Sequence, residues 1–194
     1  MLKVIVTGAF STGKTTLVGV LAHALVGSGL TVARLPDVAR SCPVPLNGDQ
    51  TGDASLRLLT TQVAQEIAAA SGPEQVLLCD RGVPDVLAHD LEVRERDGAS
   101  RVALLDRFLD SWLETYDVIL FSRVDESIPI VSDGLRARDP AYRRMLDDYA
   151  SKILSGRKGV HELPFGECPR LHYAREIVAR SLTSPRSCSS NSST

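Results

Sequence analysis

Two glycines bracket a hydroxyl-bearing turn near the start of this chain, in Gly8-Ala9-Phe10-Ser11-Thr12-Gly13-Lys14-Thr15. The spacing is that of a phosphate-binding loop, in which the curled backbone aims successive N–H groups at one phosphate. Lys14 has the reach and charge to meet the β- and γ-phosphates of a nucleotide, and the Thr15 hydroxyl is placed to ligate Mg²⁺. Ser11, Thr12 and Thr16 complete the expected nucleotide-contacting set with Gly8, Gly13, Lys14 and Thr15. The same letters could form an ordinary glycine turn before a helix. Their context argues for the loop: Leu2-Lys3-Val4-Ile5-Val6-Thr7 reads as a buried strand and Thr16-Leu17-Val18-Gly19-Val20-Leu21-Ala22 as a packed helix. The N-terminus of that helix adds a dipole favourable to an anion.

Further side chains could complete a reaction centre. Asp80 ends the apolar run Gln75 to Asp80. Ligands of an open parallel sheet sit beyond the carboxyl ends of its strands, so an acid there faces bound phosphates and could hold Mg²⁺ directly or through water. Its plainer alternative is a helix cap. Arg81 could clamp an acceptor or a phosphate, or form a surface ion pair. Asp37 and Arg40 follow the second strand on the same sheet edge, where a carboxylate could take the proton of an incoming hydroxyl, worth about 10²- to 10⁴-fold in rate. Pro36-Asp37 could equally just turn the chain. Asp85, one turn beyond Asp80, is the rival base.

Gln62 and Gln65 lie on the following helix and could hydrogen-bond a base or amide, or lie on an exposed face. In Asp133-Gly134-Leu135-Arg136-Ala137-Arg138, Arg136 is placed to meet charge on a transferring phosphoryl group, worth about 10³- to 10⁵-fold when supplied in cis. Arg143 and Arg144 are interleaved with Asp139, Asp147 and Asp148 and read as a solvated helix face. His23, His89, His161 and His172 are scattered without ligand spacing or a nucleophile partner, which argues against zinc and against a Ser-His-Asp triad.

The elements that must position these residues alternate between apolar runs and helical patterns, the signature of a parallel sheet covered by helices. Strands are expected at Leu2 to Thr7, Thr31 to Leu35, Gln75 to Asp80, Asp117 to Ser122 and Val160 to Leu163. Helices are expected from Lys14 to about Val26, apolar nearly all round and so buried, and at Ala54 to Ala70, Pro84 to Glu92, Arg101 to Thr115, Pro140 to Ser155 and Pro169 to Leu182. Within Arg101 to Thr115, Leu104, Leu105, Phe108, Leu109, Trp112 and Leu113 form a stripe expected to face the core. Ser41 to Asp53 reads as a loop, and the serine-rich stretch Thr183 to Thr194 as a disordered tail.

The 194 residues suit one domain; 43% are hydrophobic, 24% are charged, and the net charge is −2. That balance favours neither nucleic acid nor a membrane as partner. Cys42, Cys79, Cys168 and Cys188 lack disulfide or metal spacing, which fits a reduced, cytoplasmic setting. No signal peptide is expected, because the chain opens directly on its first strand.

Taken together, these motifs resemble the small P-loop kinases of the nucleoside and nucleotide kinase class, above all the AAA-like branch with the ribosylnicotinamide kinase domain of NadR-type proteins. The likeness rests on Gly8 to Thr15, Asp37-Val38-Ala39-Arg40, Cys79-Asp80-Arg81-Gly82 with Asp85, Asp133-Gly134-Leu135-Arg136, and Val160-His161-Glu162-Leu163 through Arg170. It implies an α/β P-loop NTPase fold, a three-layer sandwich whose five-stranded parallel sheet has the order 2-3-1-4-5, flanked by helices, over residues 1–182 with a helical lid at about 123–158. It implies ATP and Mg²⁺, and a small-molecule phosphate acceptor such as nicotinamide riboside or another nucleoside or nucleotide. Lys14, Asp37 and Arg136 would then be catalytic, Thr15 and Asp80 would hold the metal, and Asp37, Arg40, Gln62, Arg81 and Asp85 would meet the acceptor. The family often has Glu where this chain has Asp37. No adenylyltransferase segment precedes the kinase-like part, so a single activity is expected, and a homodimer is compatible with the sequence.

Two other readings compete. A GTPase-type switch would need a guanine-reading Asn-Lys-x-Asp, of which Ser122-Arg123-Val124-Asp125 is a poor echo. A regulatory or sensor protein would bind ATP without phosphotransfer.

Overall fold

Strands that are apolar at almost every position must be covered on both faces, and the computed structural model, which describes residues 1–98, 101–130 and 139–183, has that arrangement. The strands β1 (Leu2–Thr7), β2 (Val32–Leu35), β3 (Val76–Asp80), β4 (Val118–Phe121) and β5 (Val160–Glu162) form one parallel sheet in the order 2-3-1-4-5. Between them run α1 (Lys14–Gly27), α2 (Gly52–Ala70), α3 (Val83–Asp97), α4 (Asp106–Leu113), α5 (Pro140–Leu154) and α6 (Glu167–Thr183). This is the expected three-layer P-loop fold.

Strand alternation sorts the side chains into two cores. Val4, Val6, Leu78 and Leu120 pack under α1 and α6 with Leu17, Leu21 and Val178. Ile5, Leu77, Cys79 and Ile119 face the other way, onto α2, α3, α4 and α5. The consequence for function lies at the carboxyl ends of β1 and β3, which are neighbours in register, Val6 opposite Asp80. The chain leaving β1 turns into α1 on one face, and the chain leaving β3 turns into α3 on the other. Between those departures lies the crevice that such sheets use for ligands.

Three expectations need correction. The helix α1 is not buried all round: Val20 and Val26 are 43% and 56% exposed, because sheet and α6 cover only part of its circumference. The apolar stripe of residues 101–115 is only partly core. It breaks into a 3₁₀ turn, Arg101–Leu105, before α4, which leaves Leu104 87% exposed and Phe108 against Trp112 at the surface, while Leu109 and Leu113 are buried. The helix α3 runs to Asp97 rather than ending near Glu92. Arg94 and Arg96 bind Asp90 and Glu92 one turn back, and a left-handed Gly98 ends it. The serine-rich tail from residue 184 lies outside the described residues.

Closeness of β1 and β4 fixes one glycine. Gly8 has φ 134°, and a Cβ there would stand 2.2 Å from the Ser122 carbonyl oxygen. We expect Gly8→Ala to destabilise the fold by about 2 kcal/mol or more, since both the backbone region and the space are denied to alanine. Gly19→Ala, a helical position with open space, should stabilise by up to about 1 kcal/mol. Urea unfolding of the two variants checks this; equal effects would contradict it.

Candidate active site

Turning out of β1, the backbone takes left-handed geometry at Ser11 (φ 55°) and Gly13 (φ 77°) before entering α1. That curl buries Lys14, whose Nζ donates to the Ala9 carbonyl at 2.5 Å and to Thr12 Oγ1 at 3.4 Å. Burial, helped by the positive charge of Arg81, lowers the Lys14 pKa to about 7, although Asp85, Asp80 and Asp37 pull it upward. Its ammonium therefore has donors held by neutral groups and a charge that a polyanion would relieve.

Asp80 shares the α1 face of the sheet by strand alternation, and so the Thr15 hydroxyl donates to it. Burial raises the Asp80 pKa against that hydrogen bond. Its Oδ1 is buried with no partner among the described residues. A carboxylate oxygen left open beside a threonine hydroxyl is a hard-donor pair of the kind that holds Mg²⁺ jointly with phosphate oxygens, and the two residues fit that ion.

Arg81 is the junction of the site. It adopts left-handed backbone (φ 78°), a costly state for a non-glycine residue. Its Nε donates to Asp37 Oδ2 at 2.8 Å, and its Nη1 donates to Asp85 Oδ1 at 2.9 Å and to the Gly8 carbonyl at 3.4 Å. Burial opposes the guanidinium charge, but Asp37 and Asp85 outweigh it and push the pKa up.

The two carboxylates are not alike. Asp85 accepts from Thr7 Oγ1 at 2.7 Å, Gly82 N at 3.0 Å, Gly8 N at 3.3 Å and Arg81, which occupies its four acceptor positions. Asp37 accepts from Ala39 N at 3.0 Å and from Arg81, one donor on each oxygen. Burial works to raise the Asp37 pKa, yet Arg81, the Ala39 amide and Lys14 leave it lowered, so it stays ionised.

Two cavities meet at Arg81. The larger, about 590 Å³, is lined by the loop from Ser11 to Thr16, by Ile128 and by Arg170. Arg170, on α6, donates to the Thr12 carbonyl at 2.7 Å and to Ser122 Oγ at 2.5 Å, bracing the loop from outside. The smaller is a slot of about 70 Å³ walled by Phe10, Asp37, Arg40, Gln62, Asp85 and His89. Gln62 is 1% exposed, so the exposed-face alternative fails for it. Asn47 and Gln50, from the stretch read only as a loop, add to the wall.

Sequence reading missed three contributors. His89 lies four residues beyond Asp85 on the same face of α3, the one signal that could have found it; burial and then Arg81 push its pKa down to about 3, and its Nδ1 pairs with the Tyr142 hydroxyl at 3.1 Å. Tyr142 in turn stacks on Phe10. Arg143 is no solvated residue: it is 4% exposed, and it donates to the carbonyls of Ile128 and Asp125, fixing the segment after β4 that borders the larger cavity. Arg136 lies outside the described residues.

The model of one protein family, described as an AAA domain, matches residues 3–170. This chain belongs to the AAA domain family. Three solved structures share the fold of this AAA domain. They are NadR protein in complex with NR (TM-score 0.73, 20% identity, 95% of this chain and 52% of that one), NadR protein in complex with NAD and AMP-PNP (0.69, 20%, 95% and 50%), and deoxyadenosine kinase from M.mycoides with products dCMP and a flexible dCDP bound (0.66, 13%, 92% and 100%). The chain thus spans about half the length of the NadR structures. At these identities the likeness establishes fold. A comparison with curated proteins finds no significant match. No helix among the described residues is long and apolar enough to cross a membrane.

The depressed Lys14 pKa gives this AAA domain a measurable linkage. Below pH 7 Lys14 is already protonated and would meet a nucleotide's phosphates as a cation; above it, such binding would have to draw a proton from solvent, so ATP affinity is expected to fall as pH rises through about 7. Calorimetry in buffers of different ionisation enthalpy should find uptake near zero at about pH 6 and approaching one proton at about pH 8.5. No uptake at the higher pH would contradict a lowered Lys14 pKa.

Proposed function

We propose that the protein is a phosphotransferase that uses ATP and Mg²⁺ to phosphorylate a small-molecule acceptor, a nucleoside-like compound such as nicotinamide riboside or another nucleoside or nucleotide. One observation carries this reading: the cavity bounded by the phosphate loop and the slot bounded by an incompletely hydrogen-bonded carboxylate, Asp37, open on the same residue, Arg81. A donor on one side and an acceptor on the other would meet where a fixed guanidinium already stands. The shared fold of NadR and deoxyadenosine kinase supports the reading.

When bound, Mg·ATP would supply the transferable phosphoryl group and a counter-charge for its oxygens. The chain's own residues do the rest. Lys14 and the loop amides hold the phosphates, and Thr15 and Asp80 hold the metal. Arg81 holds Asp37 against the acceptor slot, and Asp37 takes the hydrogen of an acceptor hydroxyl on its remaining lone pairs. A lowered pKa makes Asp37 an ionised but weak base, so its main contribution is to orient that hydroxyl and receive its proton late. Asp85 is better suited to scaffold than to base, since it has no acceptor position left. Arg136 remains our choice for the charge on the phosphoryl oxygens.

A mass-spectrometric screen of purified protein with ATP and a metabolite library should yield a new phosphorylated product. Lys14→Ala should lower kcat/KM by about 10³-fold or more. Asp37→Asn should lower kcat by about 10²- to 10⁴-fold with ATP affinity nearly unchanged. Asp85→Asn should instead destabilise the fold by about 3 kcal/mol, as expected for a buried carboxylate stripped of charge beside its arginine. Normal turnover in Asp37→Asn would remove that residue from the mechanism. Tight ATP binding with no product from any acceptor would favour a nucleotide sensor.

A further inference from the structure

Behind the acceptor slot lies a buried carboxylate whose partners dictate what the slot can recognise. Glu66, on α2, is 1% exposed. Its Oε1 accepts from Gln62 Nε2 at 2.7 Å and from the Tyr116 hydroxyl at 2.8 Å. Its Oε2 accepts from Trp112 Nε1 at 3.0 Å and stands 2.6 Å from the ammonium of Lys3. The Tyr116 oxygen itself accepts from Val83 N at 3.1 Å, so its proton is committed to Glu66. Lys3 Nζ is held 4.4 Å above both the Trp112 and Tyr116 rings.

Every group facing Glu66 is a donor, and a carboxylate offered four donors has only acceptor positions to give. The Gln62 amide is therefore fixed in one sense. Turning it over would set its carbonyl oxygen against a carboxylate oxygen at hydrogen-bond distance. With one Nε2 hydrogen committed to Glu66 and the amide's sense thereby fixed, the acceptor of Gln62, a residue of the slot wall, is Oε1, which is buried and has no partner among the described residues.

We propose that the acceptor slot selects molecules that present an amino or carboxamide N–H to Gln62 Oε1 over matched molecules with an oxygen in that place. Glu66 is the positioning residue that enforces the choice. The inference rests on the nucleoside-acceptor reading and narrows it to amino- or carboxamide-bearing bases. An oxygen at that point would bring two acceptors together in a buried site with neither satisfied, and sites built to hydrogen-bond one partner reject the mismatched analogue strongly. The three charged groups of the slot that form the Arg81 cluster do not offset this. Asp37 and Asp85 are acceptors themselves, and Arg81 is engaged by both of them.

Direct binding tests the inference separately from catalysis. Calorimetric titrations of the protein with adenosine against inosine, cytidine against uridine, and nicotinamide riboside against nicotinic acid riboside compare matched pairs. In the pair the slot accommodates, the amino or carboxamide member should bind about 10²-fold more tightly. That preference without phosphotransfer would support the slot assignment and sink only the kinase reading. Equal affinity, preference for the oxygen-bearing member, or no binding of any of the six would overturn the inference.

Glu66→Gln frees the Gln62 amide to turn. It should shrink or invert the preference, whereas a purely structural role would weaken both members alike. Should Glu66→Gln not fold, Gln62→Met, which leaves three donors on Glu66, is read in its place. With ATP binding intact, it should bring the two members to near-equal affinity, and a retained preference would overturn the inference.

Discussion

The site depends on the ion-paired Arg81, wedged between Asp37 and Asp85 on a left-handed backbone. Left-handed geometry at a residue with a side chain costs about 1–3 kcal/mol and persists only where its surroundings over-determine it. Here the surroundings are explicit. Asp85 ties Thr7 and Gly8, at the end of β1, to Arg81 and Gly82, at the end of β3, and the Arg81 amide continues the sheet by donating to Val6 at 3.0 Å. One carboxylate thereby fixes the departure of both central strands and the guanidinium between them. The other, Asp37, comes from β2 and is recruited to that guanidinium, which draws the edge strand's loop over the crevice. Without Arg81, two buried carboxylates would face each other unneutralised, so the fold and the site share one electrostatic requirement.

Sheet parity then divides the labour. Asp80 and Asp85 are five residues apart, yet the last position of β3 looks toward α1 and the first turn of α3 looks toward the other core. A single β3–α3 segment thus places one carboxylate with its open oxygen beside Thr15 and a second, fully engaged, beneath the phosphate loop. Arg170 adds a brace from α6 through Thr12 and Ser122, tying the last helix to the loop that opens the chain. Such bracing makes the loop's curl a property of the whole sheet edge rather than of its glycines alone.

Much of this was legible in the sequence because it is local. The phosphate loop, the strand ends at Asp37 and Asp80, and the strand order implied by the family resemblance rest on contiguous motifs. What was not legible depends on which face a residue turns to. Arg143 and Asp147 share a charged pattern with Arg144, yet the first two are buried and the third is exposed; periodicity cannot separate them without knowing what α5 packs against. Leu104 reads as core by spacing, but a 3₁₀ turn has a different period from an α-helix and rotates it outward. His89 and Tyr142 are 53 residues apart and meet only because α3 and α5 pack together. Gln62 and Glu66 form a one-turn pair that looks like an ordinary exposed helix face until Lys3, Trp112 and Tyr116 converge on it.

Satisfaction of buried polar atoms differs between the carboxylates that brace the site and the groups that border its cavities. Glu66 and Asp85 are both buried, and each has its acceptor positions filled by protein donors. Among the described residues, Ser11 Oγ, Asp80 Oδ1, Gln62 Oε1, Arg143 Nε and Arg170 Nε are buried without partners; Ser11, Gln62 and Arg170 line the two cavities, Asp80 stands beside Thr15, and Arg143 holds the segment that borders the larger cavity. A buried polar atom left unpaired costs about 1–3 kcal/mol. A chain that fills every position on Glu66 and Asp85 has donors enough to avoid that cost. Leaving the Ser11, Asp80, Gln62 and Arg170 atoms open along the crevice is a destabilisation that a ligand bound there would remove, and under the proposed function the chemistry of each open atom would specify part of that ligand. On that proposal Asp80 would take a cation, Ser11 and Arg170 a polar group alongside the phosphate loop, and Gln62 a donor on the acceptor.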